Sequence, residues 1–561
     1  MMYLVFILGG FLFVSGCELF HRQEDVVPPL MIASFQKTLS KIDPGDREFP
    51  GGRGTDELAL YTPKFGEKTG TNEWGSEAVV SQGIVQNVGG GNSLIPQDGF
   101  VLSGHGKSER WILDNLFPGV EMTAGENRIQ GYITDRTRLF YASRLIQEAS
   151  KLDSYHSVWD PLVSRKDLES LKKESAKWGE RTRKGRIKGD TQEILASSQK
   201  CLDAAFEFYC KSQKSQQFEL RACWYRLTEK TPEQLEKTVR RLKEAGFNCL
   251  CPETIYWGYA IYPDAHPLLK QNPDFSGWDP LKELCRLCHR YNMKVIPWVE
   301  VFFIGFQDSP LKVEKSEWLA FSQSGQYASA LEPGYYYFCP SRKDVREFWL
   351  QVYERLLKTY EVDGLQLDYI RYPRSVPLDK GYCYCSSCRE QFFAQNQVDP
   401  AFLNPETSPD ILDKWNAWRR DQVSEFVRQT SVLANEIRPD IRLSVDVFPD
   451  LKEAKETKFQ DWSLWVEKGY VDEVFIMSYS TDMEQVGRET KSLTQILPQN
   501  VKGYVGLAPF LGFPPKLLLD EVRAVHESGA NGVCLFDWEH LTEGQLSALK
   551  KGPFRLPAYI P

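Results

Sequence analysis

From about Leu220 to the end of the chain, short apolar segments alternate with amphipathic ones, and that alternation leaves few folds open. The strand candidates are Arg221–Leu227, Phe247–Glu253, Lys294–Val301, Gly364–Tyr372, Arg442–Phe448, Glu473–Tyr479, Gly503–Pro509 and Gly532–Trp538. Helical spacing falls between them, near 279–291, 342–360, 411–438, 458–469, 484–496 and 515–528, with a last helix near 543–550. The first helix opens at Thr231-Pro232-Glu233, a cap followed by proline in the first turn, where a missing N–H costs nothing. Eight such units predict an α/β fold, a (β/α)8 TIM barrel over residues 220–561. A doubly wound sheet is the alternative, but eight regular units favour closure.

In such barrels the chemistry sits at the C-terminal ends of the strands. Strand one presents Trp224, Tyr225 and Arg226; strand two presents Glu253, followed by Tyr256 and Trp257. Strand three ends in Trp298 and Glu300, strand four in Asp368, Tyr369 and Arg371, strand five in Asp446. Strand six supplies Tyr479 and strand eight Asp537, Trp538 and Glu539. The sequence has no Ser-His-Asp order, no phosphate loop and no HExxH motif. Several carboxylates beside aromatic platforms, with no cofactor called for, form the inventory of glycoside hydrolysis. One carboxyl group protonates the leaving oxygen, and a second attacks carbon or activates water. Asp368, Glu300 and Asp446 are the catalytic candidates; Tyr225, Trp257, Trp298, Tyr369, Arg371, Tyr479 and Trp538 are the expected sugar contacts. A catalytically silent glycan-binding protein would need the same rim and is the alternative from another class.

The N-terminal end reads as an export segment. Met1 to Gly16 is apolar, too short to span a bilayer, and ends in small residues before Cys17. Val14-Ser15-Gly16-Cys17 resembles the bacterial lipobox, although no Lys or Arg precedes the apolar run. By that resemblance 1–16 is removed and Cys17 is lipidated, and Glu18 does not match an inner-membrane retention signal. The expected location is the cell envelope, on the outer membrane facing the periplasm. Residues 17–30 read as a tether. Period-two segments and Gly-rich turns predict a small all-β domain over 31–125, with His105 in a tight turn. Helical spacing rich in Lys and Glu predicts a helical spacer over 126–219. The net charge of −8 without a basic stripe excludes nucleic acid as a partner.

Cys17 aside, twelve of the 13 cysteines remain. Cys383, Cys385 and Cys388 crowd one loop. A zinc site wants four ligands, and no nearby histidine supplies a fourth, so no metal is expected there. A local disulfide or structural thiols are the favoured reading. Cys285 and Cys288 share one helical face and read as core.

The stretch Asp363-Gly364-Leu365-Gln366-Leu367-Asp368-Tyr369-Ile370-Arg371-Tyr372-Pro373 resembles the signature of the family-10-like glycosyl hydrolases, bacterial barrel enzymes related to α-amylases. Arg221-Ala222-Cys223-Trp224, Val295-Ile296-Pro297-Trp298-Val299-Glu300 and Val471-Asp472-Glu473-Val474 add weaker likenesses. The resemblance spans roughly residues 220 to 540. It implies a cell-wall or exopolysaccharide glycan as substrate, often of N-acetylhexosamine, and so a polysaccharide or peptidoglycan strand as partner. It also implies Asp368 as the central carboxylate, Glu300 as a rim acid and Asp446 as the partner acid. One departure stands out: Cys339-Pro340 replaces the Asn-Pro expected after strand three.

Overall fold

The computed structural model describes residues 27–44, 54–72, 75–156, 162–376 and 378–561. The expected export segment, Cys17 and most of the tether lie outside the described residues. No described helix is long and apolar enough to cross a membrane.

The C-terminal part is a closed barrel of eight parallel strands. They are Leu220–Tyr225, Cys249–Tyr256, Trp298–Glu300 (preceded by Lys294–Val295), Gly364–Asp368, Arg442–Val447, Glu473–Met477, Lys502–Leu507 and Gly532–Leu535. Each pairs with the next, and the eighth pairs back with the first, Val533 opposite Arg221. Pro297 interrupts strand three because it cannot donate to the ladder. The connecting helices follow their caps. Thr231 accepts from the Gln234 N–H ahead of Pro232–Glu244, and Asp279 from the Lys282 N–H ahead of Pro280–Arg290.

Side chains alternate across each strand, which gives the barrel two cores. Trp224, Trp298, Phe475 and Tyr504 fill the interior with Ala222, Cys249, Cys251 and Cys534. Cys223, Tyr225, Leu250, Val299, Leu365 and Leu367 point outward into the layer between strands and helices. Gly506 makes room for Trp224: a Cβ there would stand 2.7 Å from the indole ring. At the barrel floor Arg221 is fully buried, paired with Glu219 at 2.5 Å, and donates to the Phe554 and Leu556 carbonyls of the C-terminal segment. Asp363 also lies at the floor, where it accepts from the Val295 N–H, Lys294 Nζ and His289 Nε2. The two aspartates of the strand-four signature thus serve opposite ends of one strand.

The N-terminal sheet has eight strands and runs from Met31 to Thr134. Its last strand, Arg128–Thr134, pairs between Met31–Thr38 and Glu121–Ala124. The β domain therefore extends past 125, into the stretch expected to be helical. Helices Asp135–His156, Arg165–Lys188 and Thr191–Lys211 follow, the second opened by a Ser164/Asp167 capping box. Tyr209 of the third helix hydrogen-bonds Asp520 of the barrel helix Pro515–Glu527, which fastens the spacer to the barrel wall. The sheet docks on the loop after barrel strand six. Ser76 Oγ donates to Thr481 Oγ1 at 2.8 Å, and the Gly90 N–H to the Thr481 carbonyl at 3.1 Å. At Gly89 (φ +112°) a Cβ would meet that carbonyl at 2.8 Å, so the docking needs glycine.

Candidate active site

Three acids form one row across neighbouring strands. Glu300 pairs directly with Asp368, and Leu367 with Val445, so Asp446 is the next residue in register beside Asp368. All three are buried and lie at the C-terminal ends of their strands. A cavity of about 170 Å³ opens over Asp368 and Asp446, lined by Trp224, Arg226, Trp298, Asp368, Tyr369, Arg371, Asp446, Phe448, Met477, Tyr479 and Phe536. Glu300 lies beside this cavity, not in its wall; its Oε2 accepts the Trp257 backbone N–H at 3.1 Å.

The environments of the acids differ. Asp368 accepts from Trp298 Nε1 at 3.0 Å and from the Tyr369 N–H at 2.6 Å. Burial raises its pKa, while those two donors and the Arg371 and Arg226 charges pull it back. Neither oxygen of Asp446 has a hydrogen-bond partner among the described residues. The Trp224 indole on the same interior face already donates to Gln366 Oε1 at 3.0 Å. Burial pushes Asp446 well above the usual carboxylate range and the Asp368 charge adds to it, while the nearby Trp224 indole pulls it back in part. Glu300 is also pushed well above, by burial and then by Glu253. Glu253 is clasped by Arg226 at 2.7 and 3.2 Å, yet burial, aided by Asp368 and Asp537, lifts it to about 7.

The wall of the mouth is built from two loops. Arg371, from the loop after strand four, pairs with Glu332 of the loop after strand three at 2.8 Å. Burial pushes Glu332 up, but Arg371, Lys458 and the Arg374 N–H hold it down at about 2. The Arg371 guanidinium also lies over the rings of Tyr369 and Tyr337. Its charge is thus already engaged, and it pins one loop to the other. Tyr369 and Trp257 both adopt φ +49°, a costly conformation for bulky residues that concentrates at functional sites.

Of the expected sugar contacts, Trp298, Tyr369, Arg371 and Tyr479 line the cavity. Trp257 stands at the rim, 42% exposed, its ring against Phe306. Two expectations are corrected. Tyr225 is fully buried on the outer face of strand one, its hydroxyl bonded to Glu229. Period-two alternation sends its neighbours Trp224 and Arg226 into the cavity instead. Trp538 lies beyond the end of strand eight, under the Arg241 guanidinium of the helix Pro232–Glu244, and Phe536 takes its place in the wall. Glu332, Phe448 and Met477 were not singled out from sequence; Glu332 sits in a long loop without periodic signal. A second cleft of about 800 Å³ continues from the cavity through Phe448, Met477 and Tyr479. Its far wall is the β domain, where His105, with Gly75 and Glu109, faces the barrel.

The reason for expecting no metal at the cysteine cluster does not hold. Cys339, from the loop after strand three, lies against Cys383, Cys385 and Cys388 and completes a group of four. None of the twelve described cysteines is in a disulfide.

Among curated proteins, "Glycosyl hydrolase YngK" of Bacillus subtilis (strain 168) is 20% identical over 256 residues, 42% of this chain and 46% of that protein. The chain thus spans about half the length of this relative. The glycoside hydrolase domain of PgaB (BpsB) from Bordetella bronchiseptica aligns with TM-score 0.48 and 13% identity, over 59% of this chain and 98% of that one. The catalytic domain of β-amylase from Paenibacillus polymyxa aligns with TM-score 0.45 and 12% identity, over 62% of this chain and all of that one. Residues 217–510, more than half of the chain, match the family described as Glycosyl hydrolase-like 10, and the chain belongs to that family.

Proposed function

We propose that the chain is a glycoside hydrolase in which Asp446 is the proton donor and Asp368 the ionised partner. The observation that carries this reading is the contrast between two adjacent buried aspartates. Two hydrogen bonds reach Asp368 and favour its charge. Among the described residues neither oxygen of Asp446 receives one, because the Trp224 indole beside it is given to Gln366; burial outweighs the partial help of that indole, so the neutral form of Asp446 is favoured. Such a split lets one carboxyl group give a proton while its neighbour stays negative. Asp446 would protonate the glycosidic oxygen as the C1–O bond breaks. Asp368 would either take a proton from the water that attacks C1, or itself attack C1 to form a glycosyl ester that water then cleaves, Asp446 taking that water's proton; either way the hydroxyl of water ends on C1. Glu300, tied to the Trp257 N–H, would hold the rim. Membership of a glycosyl hydrolase-like family supports hydrolysis, and the larger cleft along the β domain supports a polymeric substrate. The strand-four signature supports a cell-wall or exopolysaccharide glycan containing N-acetylhexosamine. The motif before Cys17 supports a lipid anchor at the cell envelope.

Product analysis after incubation with peptide-free peptidoglycan strands and with polymeric hexosamine tests the reading. Asp368→Asn and Asp446→Asn are expected to fold and to lose about 100- to 10,000-fold in turnover. Glu300→Gln keeps an acceptor for the Trp257 N–H and is expected to be mild. Near-normal turnover in Asp368→Asn would sink the site assignment. Glycan binding by the wild type without cleavage across the panel would favour the silent binding protein.

A further inference from the structure

We infer that Cys339, Cys383, Cys385 and Cys388 form a zinc site that staples together the two loops walling the active-site mouth. The four Sγ atoms all lie within 4.8 Å of one another, and all four residues are buried. Cys339 Sγ is 3.3 Å from Cys388 Sγ and 3.6 Å from Cys385 Sγ. A disulfide brings two sulfurs to about 2.05 Å, so neither contact is a bond. Four sulfurs bound tetrahedrally at about 2.3 Å from zinc stand about 3.8 Å apart, close to these separations. A group this compact has room for a single ion at its centre and none for a multi-iron cluster. Oxygen donors that would suit magnesium or calcium are absent from the group, and an all-thiolate set selects a soft or borderline ion. With four protein ligands and no open position, the site would be structural.

The surroundings suit a negatively charged centre. Ser341 Oγ lies 3.0 Å from Cys388 Sγ and 3.2 Å from Cys339 Sγ, and the Cys385 N–H points at Cys383 Sγ at 3.4 Å. Such outer donors orient ligand sulfurs. The buried Arg419 has no carboxylate partner among the described residues; it donates to the Tyr382 carbonyl, directly before Cys383. A four-thiolate zinc carries a net charge of −2, which a neighbouring guanidinium would balance in part.

The placement gives the site a task. Cys339 closes the loop after strand three, just before the helix Lys343–Thr359. Cys383 and Cys385 end the loop after strand four, and Cys388 lies in the first turn of the helix Ser386–Asn396. The first loop carries Glu332 and the second Tyr369 and Arg371, so one ion would fix both ends of the wall held at its tip by the Arg371–Glu332 pair.

Full-length protein purified without chelator or reductant, analysed by inductively coupled plasma mass spectrometry, is expected to hold one zinc per chain. X-ray absorption should find four sulfurs at about 2.3 Å. Zinc should fall to background in Cys385→Ser and in Cys339→Ser, and stay unchanged in Cys285→Ser, a buried thiol elsewhere. Should the first two variants fail to fold, thiol-blocking mercurial added to wild type should release the zinc in step with modification of these four cysteines. Wild type without stoichiometric zinc, another metal in its place, a mass showing these cysteines joined in disulfides, or zinc bound without sulfur would each overturn the inference.

Discussion

Asp446 holds a buried carboxyl group that receives no hydrogen bond among the described residues, with a consequence for stability as well as for chemistry. A carboxyl group whose pKa is raised in the folded state stabilises the protein fully below its unfolded pKa, about 3.9. That contribution is lost as pH rises from there through the folded value. Asp446→Asn removes the titration, so its melting temperature should lie above that of wild type at pH 7 to 8 and close to it below pH 4. Thermal melts of the two proteins across pH would show this, and equal melting at pH 8 would contradict it. With Asp446 as the proposed proton donor, the same raised pKa predicts an alkaline limb: turnover should fall as pH rises and Asp446 loses its proton. That Asp368, Glu300 and Asp446 share one end of the barrel was legible in the sequence, because each lies at the end of an apolar strand. Their different hydrogen-bonding surroundings were not, because those depend on which donors the neighbouring strands bring.

A barrel strand has two faces, and most of the sequence reading succeeded or failed on which face a residue takes. All eight strands and the main helix after each were legible from apolar periodicity, the strands stopping short of or overrunning the expected ends by one to four residues; the short helices Pro310–Glu314, Ser386–Asn396 and Leu451–Thr457, which lie within the long loops, were not. Tyr225 was read as a sugar contact from its place near the end of strand one, but alternation turns it outward against Glu229. Tyr225→Phe is therefore expected to leave turnover and KM unchanged and to cost about 0.5–1.5 kcal/mol in unfolding free energy. Denaturant melts and steady-state kinetics on the same preparation separate the two effects. A rise in KM without loss of stability would return Tyr225 to the cleft.

At the scale of the whole molecule, the β domain and the barrel share a cleft, so a glycan reaching the acids would also pass the His105 turn. Reach is a constraint for an enzyme tethered to a membrane and acting on a polymer. If Cys17 is acylated, Cys17→Ala should leave the membrane fraction or accumulate unprocessed, while the soluble protein keeps its turnover on short substrates. Fractionation and migration identical to wild type would refute the anchor.

The sequence by itself determined the barrel, its strand order and the row of acids, because these follow from local periodicity and from one register shared by neighbouring parallel strands. Tertiary structure decided what depends on distant loops meeting. Glu332 reaches Arg371 across 39 residues, and Cys339 reaches Cys383 across 44, and nothing in the intervening sequence encodes either meeting as a pattern. It also decided the surroundings of the acids: Asp368 receives two hydrogen bonds, whereas neither oxygen of Asp446 has one among the described residues.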